Sequence, residues 1–424
     1  LSDHNSVEIS EIFDELSSQE IMLVMKVLDK DTVAKALTRL SRRKKAKLFN
    51  SLSESDLRDI IGRLRLDEKV DILEELPANL VTNLLKYTSN DARELINVFL
   101  NYPEKSAGAL MTVEYVALRP EMTVREARSY IKEVGITRET IYTNYVIDES
   151  RKLIGIISLR ELVTRDDDEI IGDIMTTNIV YTHTLEDQEE VAKEFVRYGF
   201  LALPVVDKEN RMTGVITVDD VMDVVEQEAT EDFQRIAAIQ PHEEAYLDTP
   251  ILKHVQQRTI WLLVLMVSAT ITGKIMGAYS NVLESSIILS IFIPMLMDTG
   301  GNSGAQSSTL VIRGLATGDI ELKDWFKVFT KELAIAVIAG ILLAVVNFFR
   351  ILLFEDVGTT VAFVVSFTIV VVLILAKTVG GSLPFIAKAI GMDPAIMASP
   401  LITTIVDALA LVVYFYMASI FLGI

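Results

Sequence analysis

The 424 residues contain no cysteine, which excludes disulfides, thiolate metal sites and cysteine nucleophiles. No Gly-Lys-Ser or Gly-Lys-Thr loop of the kind that cradles the phosphates of a hydrolysed nucleotide occurs, which argues against work driven by ATP hydrolysis. The stretch from His4 to Glu15 is polar and acidic and does not read as a secretory signal. Positive charge is also in deficit, with 40 Lys and Arg against 59 Asp and Glu, a formal net charge of −19. Such a surface repels the phosphates of nucleic acid and favours cationic partners.

The deficit is unevenly spread. Residues 258–424 hold 9 basic and 10 acidic side chains, while residues 1–257 hold 31 and 49, a net charge of −18. A strongly anionic half is thus joined to a nearly neutral, apolar one. Five segments of the second half, about 258–280, 283–304, 328–350, 358–383 and 395–422, have the roughly 20 apolar residues needed to cross a bilayer core. Lys and Arg in short loops set orientation. Arg313, Lys323 and Lys327 fall between the second and third spans and Lys388 between the fourth and fifth, while Lys274 and Arg350 dissent. The balance places the anionic half and these two loops in the cytoplasm, in a cell membrane, with the C-terminus outside. One copy with an odd number of spans is not expected to close a pore, so a symmetric homodimer is expected.

Asp407 lies midway along the last span, in Thr403-Thr404-Ile405-Val406-Asp407-Ala408, with no basic residue one turn away. A carboxylate at that depth costs on the order of 3 kcal/mol, so it is expected to face a wet cavity and mark an ion path. Two copies meeting on a dimer axis would favour a divalent cation. The run from Pro294 to Ser308 includes Gly300-Gly301-Asn302-Ser303-Gly304-Ala305-Gln306. Its small residues suit close helix packing, and Asn302, Gln306 and the hydroxyls suit a hydrated hard cation such as Mg²⁺, which gives up its water reluctantly. Asp298 and Asp393, near span ends, read as mouth or capping groups.

In the anionic half, Leu16, Leu28, Leu40, Leu52, Leu64 and Leu76 recur every twelve residues, several followed by Ser or Asp. That pattern predicts stacked short helices in a small superhelix. Residues 111–226 hold a second repeat. Met111-Thr112, Val146-Ile147-Asp148 and Gly155-Ile156-Ile157-Ser158 in the first copy match Met175-Thr176, Val205-Val206-Asp207 and Gly214-Val215-Ile216-Thr217 in the second. Each copy reads as a short strand, a helix, two strands and a closing helix capped by Ser158 or Thr217. This resembles a tandem CBS pair, a module that in many proteins binds adenine nucleotides. The resemblance makes ATP a possible regulatory ligand, with Glu161 (an Asp in the usual motif) and Phe200 as its candidate contacts. Beyond it, Asp220, Asp223 and Gln227 share one face of an acidic helix, and Glu228, Glu231 and Asp232 another. Charges this dense are either solvated or neutralised by bound cations.

The order of parts resembles the MgtE family of magnesium channels over the whole chain. The match rests on Tyr102-Pro103-Glu104-Lys105-Ser106-Ala107-Gly108, on the glycine-rich run from Gly300, and on Asp393-Pro394-Ala395 placed ahead of Asp407. The resemblance implies a multidomain membrane protein: an all-α superhelical N-domain (1–108), α/β tandem CBS domains (109–226, divided near 168), an acidic plug helix and linker (227–257) and a five-helix transmembrane domain (258–424). It implies a non-enzymatic, Mg²⁺-selective homodimeric channel with Asp407 at the central ion site and closure by cytoplasmic Mg²⁺; from the residues themselves, Asn302 and Asp393 are counted beside Asp407 as candidate metal-binding positions. The matching sensor acids are Asp187, Glu189, Asp220, Asp223, Glu228, Glu231 and Asp232, with Asp67, Glu68 and Asp71 as N-domain candidates. Two positions depart from the pattern: Lys105 and Gly199 stand where acids are expected. Sodium- or proton-coupled exchange and a non-permeating nucleotide receptor are the alternative expectations.

Overall fold

The computed structural model describes residues 5–76, 80–81, 90–242, 246–247, 249–397 and 399–423. The chain divides into two compact units, Leu1–Glu228 and Ala229–Ile424.

The first unit begins with short helices: Ser6–Glu15, Ser18–Val24, Lys30–Thr38, Arg42–Ser51, Glu54–Arg63 and Leu66–Glu75, with Asn90–Phe99 further on. The side chains of Asn5, Ser17, Asp29 and Ser53 accept hydrogen bonds from first-turn N–H groups and so start four of them. The repeated leucines sit at the corners between helices. Leu28, Leu40, Leu64 and Leu76 are buried there, and Leu16 and Leu52 pack partly buried against the same core. The twelve-residue spacing is therefore one helix plus one corner, and its leucine turns inward where the helix ends. Pro77 and Ala78, in the expected continuation, lie outside the described residues.

Two three-stranded sheets follow. In the first, β1 (Ala117–Leu118) pairs parallel with β2 (Thr143–Ile147), which pairs antiparallel with β3 (Leu153–Ser158). In the second, β4 (Thr182–His183), β5 (Ala202–Val206) and β6 (Met212–Thr217) repeat that order. The hairpins match residue for residue: Arg151 and Asn210 hold the left-handed conformation at equivalent turns. Ser158 caps the closing helix Leu159–Thr164 of the first copy, as its sequence predicts. In the second copy the closing helix and the acidic helix are one element, Val218–Ile236, so the expected boundary at 226–227 falls inside a helix.

The second unit holds five long helices among the described residues: Ile251–Ala278, Ile293–Ala316, Trp325–Phe354, Thr359–Ala389 and Ser399–Leu422. The first, third, fourth and fifth are long and apolar enough to cross a membrane. Helix Ile293–Ala316 has the length but carries a polar run. It also corrects the expected second span: residues 283–292 form the end of a short helix, Ser280–Ser285, and a 3₁₀ segment, Ile287–Phe292. Pro294 lies in the first turn of the long helix, where its missing N–H costs nothing, so the span starts there, ten residues later than expected. Arg313 and Lys388, expected in loops, lie instead in the last turns of their helices.

Candidate functional site

The helix Ile293–Ala316 is held between two others by its glycines. Added Cβ atoms at Gly300 and Gly304 would stand 3.0 Å and 3.3 Å from Val406 of the last helix, and one at Gly301 would stand 3.0 Å from Thr403 Cγ2. On the other side, a Cβ at Gly380 would lie 2.2 Å from the Gly304 carbonyl oxygen, so the helix Thr359–Ala389 meets it backbone to backbone. This close packing leaves one face of Ile293–Ala316 uncovered. It bears Asp298, Asn302 and Gln306, spaced four residues apart, with Thr309 beside them, all exposed.

Asp407 is half-buried next to this face. Its Oδ1 lies 3.6 Å from where a Cβ at Gly301 would stand, so that glycine gives the carboxylate room. Asp298 is near enough for the two charges to act on each other. Asn302 Nδ2 donates to Asp298 Oδ1 at 2.9 Å. Asp407, Asn302 and Asp298 are thus gathered on two adjoining helices. Asp393 is not with them. Its Oδ1 accepts from Ala395 N at 2.7 Å, and its Oδ2 meets Arg235 Nη1 at 2.8 Å. Arg235 also binds Glu231, one turn earlier on the acidic helix. Arg235 is a contact that sequence reasoning missed; its signal is an arginine closing an otherwise acidic run.

The acids of the first unit are spread out and mostly engaged already. Asp187 caps the helix Gln188–Tyr198, accepting from Glu189 N at 2.8 Å. Glu189 pairs with Lys193 at 2.9 Å, and Glu190 pairs with the same lysine. Thr217 Oγ1 donates to Asp220, while Asp223 is exposed on the next turn. Glu228 receives Gln188 Nε2 at 2.6 Å and Lys105 Nζ at 3.2 Å. The lysine that departs from the acidic pattern therefore stands on the acidic helix as a built-in counter-ion. Asp232, in the second unit, lies within reach of the Arg235 charge. Of the N-domain candidates, Glu68 accepts from Arg65 N, and Arg65 in turn pairs with Glu139 at 2.5 Å. Asp71 is exposed on the same helix as Glu68, while the Asp67 side chain is outside the described ones. Among the described residues no three acidic or histidine side chains converge closely enough to hold a bare metal ion.

A cavity of about 730 Å³ opens between the two sheet modules. Tyr142, Tyr145, Arg160, Asn178 and Phe200 are among its lining residues. Phe200 stacks on Tyr198 with centroids 5.2 Å apart. Glu161 is not part of the lining: its carboxylate accepts from Ser158 N and from Ser158 Oγ at 2.7 Å. Gly199 has φ of +66° as the residue ending Gln188–Tyr198, a conformation an acid would adopt only with strain, which explains that departure.

Family models match three stretches of the chain. One described as MgtE intracellular N domain covers residues 4–105, CBS domain covers 107–168 and 171–227, and MgtE, described as divalent cation transporter, covers 293–417. The magnesium transporter MgtE of Thermus thermophilus is 35% identical over 97% of this chain and 92% of its own length. The magnesium transporter MgtE of Bacillus subtilis is 31% identical over 97% and 90%. The crystal structure of the cytosolic domain of the Mg²⁺ channel MgtE in complex with ATP is similar at 37% identity and a TM-score of 0.51, covering 52% of this chain and 91% of that one.

Proposed function

Because the chain belongs to the MgtE family of magnesium transporters, we propose that it is a gated channel carrying Mg²⁺ inward, with the ion path along the Asp407, Asp298 and Asn302 face. One observation carries this reading. A membrane helix leaves a stripe of Asp298, Asn302 and Gln306 uncovered beside Asp407, and among the described residues no basic side chain pairs with that carboxylate. Polar groups facing lipid are costly, so such a stripe belongs against water or a second copy of itself. A homodimer closes the stripe into a wet seam and brings two Asp407 carboxylates near one axis. Carbonyl, amide and hydroxyl oxygens along the seam bind Mg²⁺ through its retained waters. An inside-negative potential supplies roughly 4.6 kcal/mol per 100 mV for a divalent ion, twice the single-charge value, so no nucleotide need be hydrolysed.

Closure follows from the acidic helix Val218–Ile236, held in the cytoplasm, with the C-terminus outside. Asp220, Asp223, Asp187 and the acids near them repel in a compact arrangement, and cytoplasmic Mg²⁺ stabilises that arrangement by neutralising them. Since no three of the described acids converge, the ions are bound as hydrated bridges. Lys105 on Glu228 takes the place of one such ion. The Arg235 link from Glu231 to Asp393 carries the position of the helix to the segment just before the last span. ATP occupies the cavity lined by Phe200 and Tyr145 as a regulatory ligand; Glu161, engaged by Ser158, takes no part in holding it.

The test is Mg²⁺ uptake into liposomes holding the purified protein, with and without millimolar internal Mg²⁺, beside Asp407→Ala. Uptake that persists without sodium or proton gradients, falls with internal Mg²⁺ and disappears in the variant is the expected result. Undiminished uptake by Asp407→Ala overturns the path, and dependence on a sodium or proton gradient overturns passive flow.

A further inference from the structure

Three polar side chains inside the five-helix unit have no part in the ion path described above. Ser307, Glu332 and Lys377 are 1%, 8% and 6% exposed. They come from three different helices: Ile293–Ala316, Trp325–Phe354 and Thr359–Ala389. Ser307 Oγ donates to Glu332 Oε2 at 2.5 Å, Lys377 Nζ reaches Ser307 Oγ at 3.2 Å, and the ammonium stands 3.7 Å from Glu332 Oε2. The fit around them is close. A Cβ at Gly381 would lie 3.3 Å from Glu332 Cγ, and its neighbour Gly380 is the residue that meets the Gly304 backbone.

Stability alone does not account for this network. A buried charge in a membrane is costly, and a buried ion pair is often matched or bettered by apolar side chains of the same volume. What apolar packing lacks is direction. Ser307 lies five residues beyond Asn302, which on a helix of 3.6 residues per turn is roughly 140° around from it. Its two bonds therefore hold the side of Ile293–Ala316 away from the polar stripe. Rotating that helix by one residue breaks both bonds and swings Asn302 and Gln306 off their face.

We propose that Ser307, Glu332 and Lys377 are positioning residues for permeation: a clasp joining three helices that fixes the rotation and height of the helix bearing Asp298, Asn302 and Gln306. The proposal rests on the ion-path reading above, and its test separates the two.

The cysteine-free chain permits single reporters. Gln306→Cys on the stripe and Val311→Cys on the buried side of the same helix are treated in proteoliposomes with a water-soluble, membrane-impermeant thiol reagent. With the clasp intact, position 306 reacts and position 311 does not. With Glu332→Gln/Lys377→Met, which leaves no unpaired buried charge, the contrast is expected to shrink at least fivefold. In the same background without reporters, the Mg²⁺ to Ca²⁺ flux ratio is expected to change about tenfold, and the charge exchange Glu332→Lys/Lys377→Glu restores it towards the native value. A folded double variant that keeps both the labelling contrast and the flux ratio overturns the clasp. A native chain that labels as expected yet passes no Mg²⁺ overturns the ion path and leaves the clasp standing.

Discussion

The two units treat carboxylates differently. In the first, acids are at least partly open to water and readily neutralised: Asp59 binds Lys30 and Arg63, Glu189 and Glu190 share Lys193, and Glu228 has Lys105. In the second, Glu332, Asp393 and Glu355 each have a basic partner, whereas among the described residues Asp407 and Asp298 have none: Asp298 accepts from the Asn302 amide, and its charge faces that of Asp407. Burial makes the difference informative. An unpaired acid at the surface means little, since water solvates it, while an unpaired acid within a membrane needs an occupant of opposite charge.

If that contrast holds, substitutions should rank by depth. Asp407→Asn keeps the shape and removes the charge, and it is expected to lower Mg²⁺ flux at least tenfold in proteoliposomes; a smaller loss would move the central site elsewhere. Next comes Asp220→Asn/Asp223→Asn on the acidic helix. Here flux should persist while the internal Mg²⁺ needed for half-closure rises by several-fold, read from uptake against a series of internal concentrations. A partly exposed Lys–Glu pair is worth about 0.2–1 kcal/mol, so Lys105→Ala should raise that half-closing concentration only about 1.4- to 5-fold. A fall instead of a rise would mean that the lysine opposes closure.

The smallest effect concerns acid stability of the helical repeats. The Lys30 hydrogen bond, with Arg63 adding to it, holds the Asp59 carboxylate below its ordinary range. A group lowered on folding contributes stability above its unfolded value, near 3.9, and loses it as the pH falls through the folded one. The melting temperature of the purified protein should therefore fall as the pH drops below about 4, and Asp59→Asn should flatten that fall. An unchanged slope in the variant would leave the Lys30–Asp59 pair energetically silent.

Much of the architecture can be read from residue order, because its signals are local and repeated. The leucine spacing places the corners of the helical repeats, and the paired Gly-x-x-Ser/Thr endings place both sheet modules. Asp407 announces itself by sitting charged in an apolar run. The start of the second span is harder, since residues 283–292 are as apolar as a span and only Pro294 marks where the helix begins. Partners across the chain are harder still. Glu332 and Lys377 are 45 residues apart on separate helices, and nothing in either segment says that they meet at Ser307. Lys105 is visible as a departure, but its role depends on Glu228, 123 residues later.

The leucine corners carry one more consequence, for how such a region changes length. Each repeat closes on a leucine turned to the core and opens on a fresh start, so the chain returns to the same phase after twelve residues. Deletion or duplication in units of twelve leaves every remaining corner facing the core, whereas a change of five or six points the following leucines into water. The helical region of Ser6–Glu75 is thus quantised in length, able to grow or shrink by whole steps and intolerant of fractions.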